Sequence, residues 1–191
     1  MSNTQNAIHT QDFWSKLIAK KNVDLPDLPN QYKSDDGSFL IGMVKDLGKG
    51  LVANGGDSFE DSWITAETID GAIFAYPDVD SCFDLSNPMN YGSANSIDAK
   101  AFGLIATLMV YSQASFAFEH KHPTLSAIMG NGYHSLRSSF YGFLDVALYP
   151  DEIRDTGDEL QNERLSLFTD MTEAQKTAID DMSTGIYSIT N

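Results

Sequence analysis

The feature that most constrains the fold is an uncharged stretch, Ala101 to Phe118, which lies between Lys100 and Glu119. It includes several hydroxyl and amide side chains and falls short of the roughly 20 strongly apolar residues that a membrane-spanning helix needs. Because it is apolar nearly all round, it predicts a helix that other elements cover on several sides. We expect this helix to run from Ile97, with Ser96 as its N-cap, and to form the axis of the core.

Hydrophobic periodicity predicts further helices on either side. Apolar residues at helical spacing predict a helix from Phe39 to Leu47 that ends at Gly48 or Gly50. Thr172 to Ile189 predicts the last helix, whose first residue and Gln175 form a capping box. The chain is therefore expected to be rich in helix at both ends.

The region after the central helix contains two expected interruptions. His120-Lys121-His122-Pro123 breaks the central helix, and Gly130-Asn131-Gly132 marks a loop. Tyr133 to Leu148 then predicts a second long helix with one apolar face, and Pro150 follows its end.

Three short segments carry the β-branched and aromatic residues typical of strands, namely Ser62 to Ala66, Ala72 to Tyr76 and Ser81 to Leu85. Turn residues separate them at Asp70-Gly71 and at Pro77-Asp78. An antiparallel meander is the simplest connection. The predicted class is therefore α+β, with a small antiparallel sheet of three to four strands packed with several helices around a buried central helix.

The chain of 191 residues has the length of one domain with one core. Residues 1–33 are expected to form an N-terminal arm, peripheral or with a short leading helix, because a short amphipathic stretch, Phe13 to Lys20, precedes the proline segment Leu25 to Pro29. Residues 34–152 are expected to form the core domain, and residues 153–191 an acidic helical extension packed on it.

Net charge limits the classes of partner. The formal charge is −15, from 27 Asp and Glu against 12 Lys and Arg, so the protein repels phosphate backbones and acidic membrane surfaces. Direct binding to nucleic acid or membrane is not expected. A basic partner protein, such as one with its own DNA-binding channel, is instead attracted. The oligomeric state does not follow from the sequence.

The negative charge is unevenly distributed. No Lys or Arg lies between Lys49 and Lys100, and a second acidic region runs from Asp145 to Asp181. Two interpretations stay open: an acidic surface that engages a basic groove, or a solvated face that maintains solubility. Under the first, the expected partner-binding residues are Asp57, Glu60, Asp61, Glu67, Asp70, Asp78, Asp80 and Asp84.

Motifs for enzymatic chemistry are weak. His120, His122 and His134 lack the fixed spacing of a helical zinc motif, and no Gly-x-Ser-x-Gly elbow or phosphate-binding glycine loop occurs. Cys82, the only cysteine, lies in a predicted strand and excludes an intramolecular disulfide. No catalytic residue, cofactor or metal is predicted, and a hydrolase or metal enzyme built on the histidines is the less favoured alternative.

The N-terminal residues contain no apolar run of signal-peptide length, so a cytoplasmic protein is expected. Aromatic residues concentrate around the two central helices. Core packing explains them first, although an exposed subset would suit a protein interface. They are Phe116, Phe118, Tyr133, Phe140, Tyr141 and Phe143.

Several short strings occur in an order that is informative as a set. Gly55-Gly56 and Trp63 precede the string Asp70 to Asp78, which reads DGAIFAYPD. Ser96 to Ala99 then leads into an apolar helix that ends Leu108-Met109-Val110-Tyr111-Ser112. Together these strings resemble the KlcA/ArdB family of antirestriction proteins.

A last string, Phe140 to Asp151, is similar to that family's closing helix, and the resemblance extends from about Phe39 to Glu152. Pro123 to Tyr133 departs from it as an apparent insertion. The resemblance implies a compact α+β domain, carried by phage or mobile elements, that relieves type I restriction-modification without a catalytic centre. An inhibitor of another host defence complex, such as a CRISPR effector or a nuclease, is the alternative.

Overall fold

The computed structural model describes residues 3–23, 39–53, 62–154, 159–168 and 170–191. The helices are α1 (Asn3–Leu17), α2 (Phe39–Leu51), α3 (Ala99–Phe118), α4 (Pro123–Leu148), α5 (Pro150–Arg154), α6 (Glu159–Ser166) and α7 (Glu173–Thr190). The strands are β1 (Ile18–Lys21), β2 (Trp63–Thr68), β3 (Ile73–Pro77), β4 (Cys82–Asn87) and β5 (Gly92–Asp98). All strand pairs are antiparallel, so the predicted α+β class is confirmed. The expected proline segment Leu25–Pro29 and the glycine pair Gly55-Gly56 lie outside the described residues.

Helix α3 is the axis of the core, as predicted. It packs against α2, α4, α7 and β3, and every residue from Ala101 to Tyr111 is buried. It is long and apolar enough to cross a membrane by length and composition, yet 61% of its most apolar window is buried inside the fold. This is the environment of a core helix in a soluble protein.

The start of α3 differs from the prediction. Ser96 is not the N-cap, because it lies in β5 with a φ of 59°. Asp98 caps the helix instead, and one of its carboxylate oxygens accepts hydrogen bonds from the amides of Lys100 and Ala101. Pairing of β5 with β4 holds Ser96 in the sheet and so delays the helix by two residues.

The strands form two sheets rather than one meander. The predicted hairpin of β2 and β3 is confirmed, and β1 adds to its other side in the order β1-β2-β3. The prediction that β4 continues this sheet is wrong, because β4 pairs with β5. β5 has few of the residues favoured in strands, and contacts with α7 support it, since Gly185 lies directly against Ala94 and Ile97.

Side chains of α3 cover the free edge of β3. The Thr107 hydroxyl accepts a hydrogen bond from the amide of Ala75 at 3.1 Å, and the Tyr111 hydroxyl donates to the carbonyl of Ile73 at 3.2 Å. Gly103, one turn before Thr107, lies so close to the backbone of Ala75 and Tyr76 that a Cβ atom would collide with it. Residues spaced by four on one helical face therefore satisfy a strand edge that would otherwise be unpaired.

Two helices continue through glycines that were expected to end or interrupt them. α4 begins directly after the predicted break at Pro123 and passes through Gly130-Asn131-Gly132, so the loop predicted there is wrong. α2 likewise continues past Gly48 to Leu51. In both helices a glycine faces an aromatic ring. A Cβ atom on Gly132 would lie 2.9 Å from the Tyr111 ring, and one on Gly48 would lie 2.9 Å from the Phe102 ring.

The chain ends contribute to the core. Phe13 and Trp14 of α1 are buried and lie against Phe140 at ring-centroid distances of 6.0 and 6.2 Å, so α1 is not peripheral. α7 begins after Thr172, whose predicted capping box with Gln175 is confirmed.

Candidate functional site

Of the eight acidic residues predicted to bind a partner, five lie in the described part of the chain. Asp57, Glu60 and Asp61 lie outside it. The remaining five are Glu67, Asp70, Asp78, Asp80 and Asp84. They fall into two groups that differ in whether the fold already uses the carboxylate.

Glu67 and Asp70 form ion pairs within the protein. The ammonium group of Lys20 on β1 lies 2.7 Å from a Glu67 oxygen. Asp70, in the turn between β2 and β3, pairs with the Arg164 guanidinium of α6, and their side chains are only 18% and 10% exposed. Arg164 reaches Asp70 past Gly142, where a Cβ atom would block it. Both carboxylates therefore hold elements together.

The other three carboxylates, Asp78, Asp80 and Asp84, are exposed and form what we call the acidic group. Asp78 and Asp80 lie in the connection between β3 and β4, and Asp84 lies on β4. One Asp84 oxygen accepts a hydrogen bond of 2.9 Å from the amide of Ser96, which supports the irregular pairing of β4 and β5. Its second oxygen has no hydrogen bond to the described residues.

The side chain of Cys82 lies within reach of this negative charge. Burial is the largest cause that raises the pKa of its thiol, and the charges of Asp98, Asp80 and Asp84 raise it further. A raised pKa keeps the sulfur protonated, and a thiol is a much weaker nucleophile than a thiolate. The environment of Cys82 therefore disfavours nucleophilic chemistry.

Asp98 is acidic but structural. Besides capping α3, its second oxygen accepts hydrogen bonds from the Thr10 hydroxyl and the Trp14 indole, both at 2.9 Å. One carboxylate thus joins the start of α3 to α1, and it faces the interior rather than a partner.

Two of the candidate histidines have aromatic neighbours, and His120 and His134 are exposed. The His122 ring lies edge-on to Phe118 at 5.9 Å, and the His134 ring lies edge-on to Tyr133 at 5.4 Å. Within the described ranges, no three His, Cys, Asp or Glu side chains form a group that could hold a metal ion.

A cleft that the charge pattern did not indicate lies where α3, α4 and the end of α7 meet. We call it the α7 cleft; its volume is about 110 Å³. The Arg137 guanidinium lies over the ring of Tyr141 at 5.5 Å, at the side of this cleft. The lining residues are Leu108, Met109, Ser112, Gln113, Tyr133, Arg137, Tyr141, Thr190 and Asn191. The concentration of aromatic residues in this part of the sequence was the available signal.

The turn between β4 and β5 adjoins the same end of α7. Its side chains Met89 and Tyr91 are 78% and 92% exposed, and Tyr187 of α7 is 61% exposed. Contiguous exposed apolar side chains mark binding surfaces, whereas single ones are common on soluble proteins. No periodicity in the sequence indicated this exposure, because it depends on how the turn meets α7.

Comparison with known proteins gives a family match. Residues 57–142, which extend from before β2 into α4, match the family model described as antirestriction protein. No curated protein and no solved structure matches the chain. The matched segment contains β2 to β5, all of α3 and most of α4, whereas α2 and α7, which also pack on α3, lie outside it. Over these residues, fewer than half of the 191, the chain is similar to antirestriction proteins.

Proposed function

We propose that this chain is a cytoplasmic antirestriction protein of the KlcA/ArdB type, which relieves DNA cleavage by type I restriction-modification enzymes. The match of residues 57–142 to the antirestriction model carries the proposal. The strings that resemble KlcA/ArdB support the narrower assignment, because Gly103, Thr107 and Tyr111 within them make the contact between α3 and β3.

We propose that inhibition occurs by binding a protein rather than by catalysis. The protonated state favoured for Cys82 supports this view. The acidic group supports a partner that presents a basic surface, since Asp78 and Asp80 are exposed and no Lys or Arg lies between Lys49 and Lys100 in the sequence. Such a surface attracts a basic partner over about one Debye length, roughly 8 to 10 Å.

The test is plaque formation by unmodified phage on bacteria that carry a type I restriction system and express the protein. The proposal predicts that plating rises toward that of a strain without restriction, across several type I systems. Equal plating with and without the protein in all of them would sink the proposal. Protection against a CRISPR effector in the absence of protection from type I restriction would favour the alternative target.

A further inference from the structure

We propose that the end of α7 is the centre of a second protein-docking surface, which binds an apolar segment of a partner that carries one carboxylate side chain. The surface consists of the hairpin turn with Met89 and Tyr91, the exposed Tyr187, and the α7 cleft with Arg137 and Tyr141. It goes beyond the proposed function, because it is distinct from the acidic group. Asp78 and Asp80 precede strand β4 and the hairpin turn follows it, about 17 Å further along, whereas Asp84 lies within the strand.

Hydrogen bonds fix the hairpin turn against α7. The side-chain amide of Asn87 donates to the backbone carbonyl of Ile189 at 2.7 Å, and the side-chain amide of Asn90 donates to the same carbonyl at 3.2 Å. The oxygens of the two Asn side chains accept bonds from the amides of Met89 and Gly92. Gly92 lies against the carbonyl of Ser188 so closely that no larger residue fits. The exposed side chains are therefore presented from a fixed backbone rather than from a loose loop.

Tyr91 occupies a backbone conformation that its residue type rarely adopts. Its φ is 57°, in the left-handed region, and its side chain is 92% exposed. Such a conformation is strained for a non-glycine residue. Glycine or asparagine would satisfy the backbone better, and the exposed ring forms no packing contact in return. A binding role for the ring accounts for a tyrosine at this position.

The α7 cleft contributes one exposed cation, Arg137. Lys16, Lys20, Arg164 and Lys176 each pair with an acidic side chain, whereas no carboxylate of the described residues pairs with Arg137. Arg137 is exposed and stacks on Tyr141. Stacking restricts the plane of the guanidinium, whose N–H groups can donate two parallel hydrogen bonds to a carboxylate.

The composition of the surface defines the ligand. Tyr, Met and Arg are the residues enriched at protein interfaces, and Asp, Glu and Lys are depleted there. Arg137 fits an Asp or Glu side chain, and Met89, Tyr91 and Tyr187 fit apolar residues beside it. The overall negative charge opposes an acidic ligand only weakly at this point, because salt screens charges beyond roughly 10 Å.

The test is selection from a random peptide library displayed on phage, with the purified protein immobilised. We expect enriched peptides to carry one Asp or Glu beside aromatic or aliphatic residues. A synthetic copy of an enriched peptide should bind Arg137→Gln at least about tenfold more weakly, and Tyr91→Ser should weaken binding to a similar degree. The Arg137→Gln effect should vanish when the acidic residue of the peptide is replaced by its amide, as in a double-mutant cycle.

Two substitutions serve as matched controls. Lys121→Gln removes one exposed positive charge, and Tyr149→Ser removes an exposed tyrosine. Neither residue belongs to the proposed docking surface. Neither should change the affinity, and urea unfolding should show that all variants are folded. The absence of enriched peptides, enrichment without acidic residues, or equal affinity for wild type and Arg137→Gln would each overturn the inference. Because the readout is peptide binding, failure of phage protection leaves this test unaffected.

Discussion

At the scale of single residues, Asp98 joins two helices, since its carboxylate caps α3 and accepts bonds from Thr10 and Trp14 of α1. We expect Asp98→Ala to lower the free energy of unfolding by about 2 to 4 kcal/mol, because it removes a cap and leaves the Trp14 indole N–H unsatisfied. Urea unfolding measures this loss. Asp80→Ala, at an exposed position, should change stability by no more than about 0.5 kcal/mol. Equal effects of the two substitutions would contradict the assigned role of Asp98.

The hydroxyl of Tyr76 is buried and has no hydrogen-bond partner among the described residues. Burial, and secondarily the charge of Asp78, raises the pKa of Tyr76 to about 12 from 10.0. The folded protein thus holds the phenol proton more tightly than the unfolded chain. The associated stability is present below pH 10 and is lost as the pH rises through about 12.

Tyr76→Phe should therefore flatten the fall in unfolding free energy between pH 10 and pH 12. At pH 7 the same substitution should be neutral or slightly stabilising, because no hydrogen bond to the described residues is lost. Urea unfolding at a series of pH values measures both effects. An unchanged pH dependence would show that the fold does not raise this pKa, whereas a loss above about 1 kcal/mol at neutral pH would show that the hydroxyl has a partner.

The acidic residues can be read from the sequence, but which of them form ion pairs within the fold cannot. Glu67 pairs with Lys20, and Asp70 pairs with Arg164, across long stretches of chain. Such pairing depends on which elements meet in space, and neither charge counts nor local spacing contain that information. Asp98 lies just before an apolar run, where an N-cap is expected, but Ser96, two residues earlier, is an equally suitable N-cap by sequence.

At the scale of elements, the contact between α3 and β3 is the most demanding part of the fold. Gly103→Ala should destabilise the protein by about 3 kcal/mol or more, because the added methyl group meets the backbone of Ala75 and Tyr76, which cannot move aside freely. Gly50→Ala is the matched control in α2, where nothing lies within 4 Å of the added carbon.

Gly50→Ala should be neutral or stabilise the protein by about 0.5 to 1 kcal/mol, through helix propensity. Thermal or urea unfolding of the two variants side by side measures the difference. If the Gly103→Ala protein proved as stable as the Gly50→Ala protein, this result would contradict the close approach of α3 to β3.

Elements with strong periodicity or distinct end signals were predictable. These include α3, the capped start of α7, and the hairpin of β2 and β3. β5 and the first half of α4 were not, because their sequences favour turns. Packing of α7 on β5, and of the Tyr111 ring on Gly132, outweighs those local preferences. The hairpin turn and the α7 cleft were missed for a related reason, since each forms only where distant segments meet.

At the scale of the whole molecule, negative charge is spread over several surfaces. The proposed function therefore requires that the position of the carboxylates, and not only the net charge, determines inhibition. The acidic group can be neutralised by Asp78→Asn, Asp80→Asn and Asp84→Asn, and the last change keeps an oxygen that can accept the bond from Ser96. Asp170, Asp180 and Asp181 are exposed near or on α7, so their replacement by Asn gives a control with the same change in net charge.

The most direct test compares plaque formation by unmodified phage on a type I restricting strain that expresses the wild type, the acidic-group triple variant or the control triple variant. We predict that the wild type and the control variant restore plating, and that the acidic-group variant restores at least about tenfold less, as expected from the loss of electrostatic attraction to a basic partner. Two results would contradict the account. One is that cells expressing the wild-type protein plate phage no better than cells without it, and the other is that the two triple variants give equal plating.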